Sequence, residues 1–364
     1  MTKTRIFLLV SVCSLIIAAM IFMGCKTTAE TTVSSVTETT SAAETTASPE
    51  TTAAAANQDI KIGLTVWTLQ DTFTVQLHDG VIKAGKDMGV EIIDLDNEGG
   101  KEVDNTRTLL SKEIDGAIMC YWDPNLAKTS IDLLKEKNIP VLAVDVPMPG
   151  VGFLGVNNYD VGHKAGSYLA DWIIENWGGK IDLLVVINSP TEGEVVAQRF
   201  QGQEDAILEK IDYPKDKIEY ADGGGWADGA LQVTRPILAK YPDAKKIAFV
   251  VENDPCVMGI TTALQEAGKA ENAAMVTLGM PKDAIHLVRD NKMPVVGGVA
   301  FFPDNYGVQG LTPLIEVVKL VKAGKNLDEA YKEVIKDEIK GFGQAVFVKT
   351  EIINAKNINE FFPE

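Results

Sequence analysis

The stretch from Lys61 to Gly80, KIGLTVWTLQDTFTVQLHDG, restricts the fold more than any other part of the chain. Ile62, Leu64 and Val66 alternate with Lys61, Gly63 and Thr65, as in a short strand lying against a core. A polar turn follows, Trp67 to Asp71, carrying a large ring and a carboxylate. Phe73, Leu77, Val81, Ala84 and Met88 then recur at helical spacing. A strand that runs through such a turn into a helix opens a βα unit. In parallel sheets ligands bind beyond the carboxyl ends of strands, where Trp67, Asp71 and Phe73 would project.

The unit repeats. EIIDLD (91–96) predicts a second strand, 103–111 a helix, GAIMCY (116–121) a third strand and 124–137 a helix. PVLAVD (140–145) and 151–156 predict two more strands. The pattern then restarts with a long amphipathic helix over 160–177. Strands are predicted at 180–188, 218–221, 246–251, 275–278 and 295–300, and a last short one at 345–348. Helices fall at 195–208, 227–240, 258–267, 282–289 and 304–322. At 364 residues the chain exceeds the roughly 250 at which single cores stop growing. Two successive α/β series predict two doubly wound parallel-sheet lobes, with a cleft where their strand ends face.

Charge and termini narrow the function classes. The formal charge is −17, and the first 24 residues hold Lys3 and Arg5 but no acid. That balance opposes nucleic-acid binding, which needs cations facing phosphate. Residues 1–24 read as a signal peptide: two cations, then the apolar run Ile6 to Met23. Phe22-Met23-Gly24-Cys25 resembles a bacterial lipobox with Phe22 in place of the usual Leu, which implies a lipid on Cys25. Residues 25–57, rich in Thr, Ala, Ser and Glu, have almost nothing to bury and read as a disordered tether. The folded part is thus expected outside the cytoplasm, held to the outer face of the membrane or in the periplasm. Cys120 and Cys256 each end an apolar strand, either as a disulfide or as two buried thiols; their spacing suits no metal.

Catalytic motifs find little support. His78, His163 and His286 all fall in predicted helices, with no HExxH pairing and no GxSxG elbow. GVIKAGK (80–86) imitates a phosphate loop, but Asp87 replaces the Ser or Thr that holds magnesium, and the match lies inside a helix. Asp94, Asp96, Glu98 and Gly99 echo a calcium loop, with Asn105 where a bidentate Glu belongs. Gly223 to Gly225 lack the spacing of a nucleotide fingerprint. No cofactor is expected. What remains is a set of rings and acids at strand ends. Trp67, Asp71, Phe73, Tyr121, Trp122, Asp123 and Asp145 follow strands of the first series. Glu194, Arg199, Trp226, Glu252, Asn253 and Asp254 follow strands of the second. Flat rings suit the apolar face of a sugar, and carboxylates and amides suit its hydroxyls.

Several segments carry a resemblance in order along the chain. They are TLQDTF running into LHDG, IPVLAVD ending at Asp145, NNYDVGHKAG (157–166), YPDAKKIAFVVEND ending at Asp254, ALQEAG (263–268) and TEIINAKNINEF. From Lys61 to about Phe361 the chain resembles the ribose- and galactose-type solute-binding proteins of bacterial ABC importers, the type I periplasmic binding fold. The resemblance implies two lobes joined by three hinge crossovers, near Asn158, Phe302 and Gly341. Lobe 1 is then 58–158 plus 303–340, and lobe 2 is 159–302 plus 341–364. It implies Phe73 and Trp226 stacking on opposite ligand faces, Asp71, Asp145 and Asn253 on the polar edge, and Trp67 and Tyr121 lining the pocket. The chain departs from the ribose-type pattern at Val146 and Ala197, where Arg is usual (Arg199 lies nearby), and at Pro281 and Phe301, which replace a pocket Asp and Gln. The implied protein is a monomer that binds a sugar without chemistry and docks on a membrane permease. Alternatives are a cationic or nucleoside-like ligand, and a sensor feeding a receptor kinase.

Overall fold

The computed structural model describes residues 57–96, 100–121 and 124–364. The expected signal peptide, Cys25 and the expected tether up to residue 56 lie outside the described residues, as do Trp122 and Asp123. In the first lobe, β1 (Lys61–Val66) pairs in parallel with β2 (Glu91–Asp96) and β3 (Gly116–Cys120), and β4 (Val141–Val144) and β5 (Gly152–Gly155) extend the sheet. Both faces of this sheet are covered. Ile118, Leu142 and Leu154 share a core with Leu77, Val81 and Leu314 of the helices Thr72–Met88 and Tyr306–Lys322. Ala117, Met119, Val141 and Ala143 pack instead with Leu109, Ile131 and Leu134 of Glu102–Ser111 and Pro124–Glu136. Burial on two sides is why GAIMC and VLAV are continuous apolar runs.

The second lobe repeats the scheme with β6 (Leu183–Asn188), β7 (Glu219–Asp222), β8 (Ile247–Val250), β9 (Ala273–Gly279) and β10 (Val295–Ala300), all parallel, in the order β7-β6-β8-β9-β10. Its helices Asn158–Trp177 and Glu194–Lys210 cross with backbones nearly touching. A Cβ on Gly162 would stand 2.1 Å from the Arg199 carbonyl oxygen, and one on Gly166 2.2 Å from that of Gln203. Gln203 ties the second helix to the end of β8, its Nε2 donating to the Val251 carbonyl at 2.6 Å. Arg199, one turn earlier, is thereby aimed at the gap between the lobes.

The C-terminal region departs from expectation. The strand foreseen at 345–348 is β12 (Gly343–Phe347), and it joins the first sheet, parallel to β5. β11 (Asp337–Ile339) pairs antiparallel beside it, completing the order β11-β12-β5-β4-β3-β1-β2. Gly341, expected at the third crossover, is instead the turn of this hairpin, with φ of 87°. The third crossover falls at residues 348–350, before β13 (Glu351–Ile353) adds to the second sheet antiparallel to β10. Residues 341–347 therefore belong to lobe 1, not lobe 2. Both lobes are doubly wound, mostly parallel sheets, as expected, each with an antiparallel strand at one edge. A hairpin or a returning tail can supply an antiparallel edge with a few residues, whereas a parallel neighbour needs a long crossover. An unforeseen helix, Leu327–Val334, packs by β4 and β5, with the Tyr331 ring beside Gly152 and its hydroxyl donating to the Val141 carbonyl at 2.7 Å.

Candidate functional site

A cavity of about 200 Å³ lies where the carboxyl ends of the two sheets face each other. At about 30 Å³ per water it has the room of roughly seven waters, which suits a small molecule and not a polymer. Trp67, Asp71, Phe73, Tyr121, Asp145, Arg199, Trp226, Asn253 and Phe301 all line it. The rings meet in pairs across the lobes. Trp67 and Trp226 stand edge to face with centroids 5.5 Å apart, and Trp226 is 42% exposed at the mouth. Phe73 packs deeper, edge to face against Tyr306 at 5.8 Å and Phe301 at 6.5 Å. The Arg199 guanidinium lies 5.4 Å from the centre of the Phe301 ring.

The polar residues are held by the ends of the elements that carry them. Asp71 caps the helix Thr72–Met88, accepting from Thr74 N at 2.8 Å and Thr74 Oγ1 at 2.6 Å. Asn253 caps Asp254–Glu266, accepting from Cys256 N at 2.9 Å while its Nδ2 donates to the Gly225 carbonyl at 3.0 Å. Both side chains thus serve a helix terminus and the cavity wall together. Asp145 ends β4 in the left-handed region, with φ of 59°. Burial pushes its carboxyl up to about 6, against the pull of Arg199 and the Tyr306 hydroxyl. Asp254 accepts from Thr277 Oγ1 at 2.6 Å and Met280 N at 3.1 Å, and burial still raises it to about 7. Arg199 donates from Nε to Asn158 Oδ1 at 2.9 Å and from a terminal nitrogen to the Glu252 carbonyl at 3.1 Å.

One expected residue differs. Glu194 is exposed, at the first position of the helix Glu194–Lys210, and does not line the cavity. Gly193, with φ of 86°, turns the chain just before it, so Glu192 at the end of the 3-10 turn Pro190–Glu192 enters the wall instead. Tyr121 lines the cavity with its hydroxyl turned into the lobe, where it accepts from Thr65 Oγ1 at 3.2 Å. Sequence reasoning missed Glu192, Asp283 and Tyr306; only Gly193 after Pro190-Thr191-Glu192 hinted at the first. Cys120 and Cys256 are both buried thiols without a disulfide, and burial raises both. Among the described residues no cluster of three or more metal-ligating side chains occurs, and no helix is long and apolar enough to cross a membrane.

Comparison with known proteins bears on this architecture. The chain is 26% identical over 284 residues to the ribose import binding protein of Escherichia coli (strain K12), covering 76% of this chain and 90% of that one. It is 24% identical over 226 residues to the L-arabinose-binding periplasmic protein of the same organism, covering 59% and 68%. An ABC transporter solute-binding protein of Clostridium phytofermentans, solved with bound β-D-glucose, superposes with a TM-score of 0.67 at 17% identity, covering 83% of this chain and 96% of that one. Another from Agrobacterium vitis, with bound allitol, gives 0.62 at 21% identity, covering 83% and 97%. These two structures speak to the fold. The periplasmic binding protein domain matches residues 62–322, most of both lobes, and the chain belongs to that family.

Proposed function

We propose that the protein captures a small sugar or polyol between its two lobes and delivers it to the permease of an ABC importer, without transforming it. The observation that carries this reading is the cavity, walled by rings from both lobes and edged with carboxyls. Rings supply apolar contact to a sugar's face and acids accept from its hydroxyls. A guest touching both lobes favours their closed arrangement by its differential affinity. The relatives named for ribose and arabinose, and the neighbours with glucose and allitol, support the ligand class. Lipid on Cys25 would keep the protein beside the permease and raise its effective concentration there.

Mass spectrometry of small molecules released from freshly purified protein tests the reading, backed by thermal shifts against sugars, polyols, nucleosides and amines. A ligand at 100 times its dissociation constant adds about 2.7 kcal/mol of stability, visible on melting. Trp226→Ala should weaken the response by about 2 kcal/mol, as for a central aromatic anchor, with little loss in the unliganded melting temperature because the ring is half exposed. A full response from the variant places the site elsewhere. For the anchor, Cys25→Ser should abolish labelling by radioactive palmitate in cells; undiminished labelling rules out lipid on that residue.

A further inference from the structure

Two glutamates from separate elements of the second lobe meet at one corner of the cavity. Glu252 follows β8, is 2% exposed, and accepts a hydrogen bond from the Ser189 hydroxyl. Glu192 stands beside it, and the Glu192 Oε1 is buried with no hydrogen-bond partner. Gly225 leaves the room for this meeting. A Cβ there would stand 2.7 Å from Glu192 Oε1 and 3.5 Å from both Glu252 Oε2 and Ser189 Oγ. All three residues of this corner, Glu192, Gly225 and Glu252, line the cavity.

The surroundings are one-sided in charge. Asp71, Asp145, Asp254 and Asp283 line the same cavity, and Arg199 is the one cation among its described lining residues. Arg199 is turned to Asn158 and to the Glu252 backbone, with its face over Phe301. Facing the pair are therefore Ser189, Arg199 and the buried Cys256 thiol, with Asp254 adding negative charge from the same helix as Cys256. Burial first, then the neighbouring Glu252, hold the Glu192 carboxyl well above the usual carboxylate range. A second carboxyl beside a buried acid disfavours its ionised form, so Glu192 keeps its proton. A sugar hydroxyl can donate to a single carboxylate and gains nothing from a second buried acid beside it. An ammonium gains from both, because it offers three donors and a full charge to a pair whose one facing cation, Arg199, spends its hydrogen bonds on Asn158 and the Glu252 backbone. Indole faces at the mouth suit the same charge.

We infer that the cavity selects a sugar or polyol bearing a protonated primary amine, whose ammonium seats against the Glu192–Glu252 carboxyl pair. The inference rests on the capture reading above and refines its ligand class. Binding exchanges the proton held by Glu192 for the ammonium: the proton leaves to solvent and Glu192 becomes a carboxylate. Glu192 is the specificity-determining residue, since it supplies the second negative charge.

Isothermal titration of the purified protein with D-glucosamine, D-galactosamine and D-mannosamine, each against its neutral parent and its N-acetyl form, tests this. In buffers of different ionisation heat, the favoured amino sugar should bind at least about tenfold more tightly than its parent, releasing about one proton. Glu192→Gln, shown folded by its melting curve, should lower the amine-to-parent affinity ratio by about 30-fold, the lower end of what truncating a buried charge pair costs. A neutral parent that binds as tightly as its amino partner to the wild-type protein overturns the inference and leaves sugar capture standing. So does tight amine binding without proton release. If no sugar or polyol binds, in titration or on melting, the capture reading falls with it.

Discussion

Asp145 shows how one residue is set by backbone and by neighbours at once. It leaves β4 with φ of 59°, a conformation that Asn and Asp tolerate and most side chains resist. Gly155 makes space for it: a Cβ there would stand 2.9 Å from Asp145 Oδ1. Asp145→Asn should keep the fold and weaken ligand binding, whereas Asp145→Ala should also cost about 1 kcal/mol of stability through left-handed strain. Urea unfolding of the unliganded variants separates the two, and equal midpoints would show that the backbone there is unstrained. Residue identities of this kind were legible early, because Trp67, Asp71, Phe73 and Asp145 follow strands that alternation alone locates. Glu192 was not legible. The two-residue difference from Glu194 is made by the positive φ of Gly193, which permits many chain directions and specifies none.

At the scale of elements, helix termini carry much of the site. Asp71 and Asn253 each satisfy an orphan backbone N–H of the helix they start, which fixes them at the cavity rim. For Asp71 the two duties can be separated. Asp71→Ser keeps a capping oxygen and removes the carboxylate, so it should hold its unfolding free energy and lose ligand affinity. Asp71→Ala should lose about 1 kcal/mol of stability as well. Chemical denaturation beside titration reads both, and a Ser variant as unstable as the Ala variant would deny the cap its part. The elements themselves were largely readable from period-two and period-3.6 patterns. One helix that went unread, Leu327–Val334, carries the signal in full, with Asn326 as cap and Leu327, Ala330, Tyr331 and Val334 at helical spacing. Its polar composition, LDEAYKEV, hid the short apolar stripe.

Across the whole molecule, the lobes are joined by more than their crossovers. Gln76 of the first lobe accepts from Lys282 N of the second at 2.7 Å and donates to Asp304 Oδ2 at 2.9 Å. The Gln76–Lys282 bond and the Trp67–Trp226 ring contact therefore bridge the two lobes. The fold also buries acids, and that has a pH signature. Asp145 is raised to about 6 and Asp254 to about 7, so between about pH 4 and 7 the folded state binds more protons than the unfolded state. Stability therefore falls as pH rises through that window, and Glu192, also raised, extends the loss upward. The unliganded protein should melt at a higher temperature at pH 5 than at pH 8. Asp254→Asn, which mimics the protonated acid, should flatten the difference. A melting temperature that rises from pH 5 to pH 8 would contradict this assignment of the buried acids.

The amino-acid sequence by itself determined most of the strands and helices, that there are two α/β series, and that rings and acids gather at strand ends. These follow from local periodicity, because each element must hide its own apolar face. Only the tertiary structure decided that β12 lies beside β5, pairing Phe153 with Ala345, and that Glu192 rather than Glu194 enters the cavity to meet Glu252. Such pairings join residues far apart in the chain. Their partners are chosen by competition among whole packed arrangements, and no local pattern records the outcome.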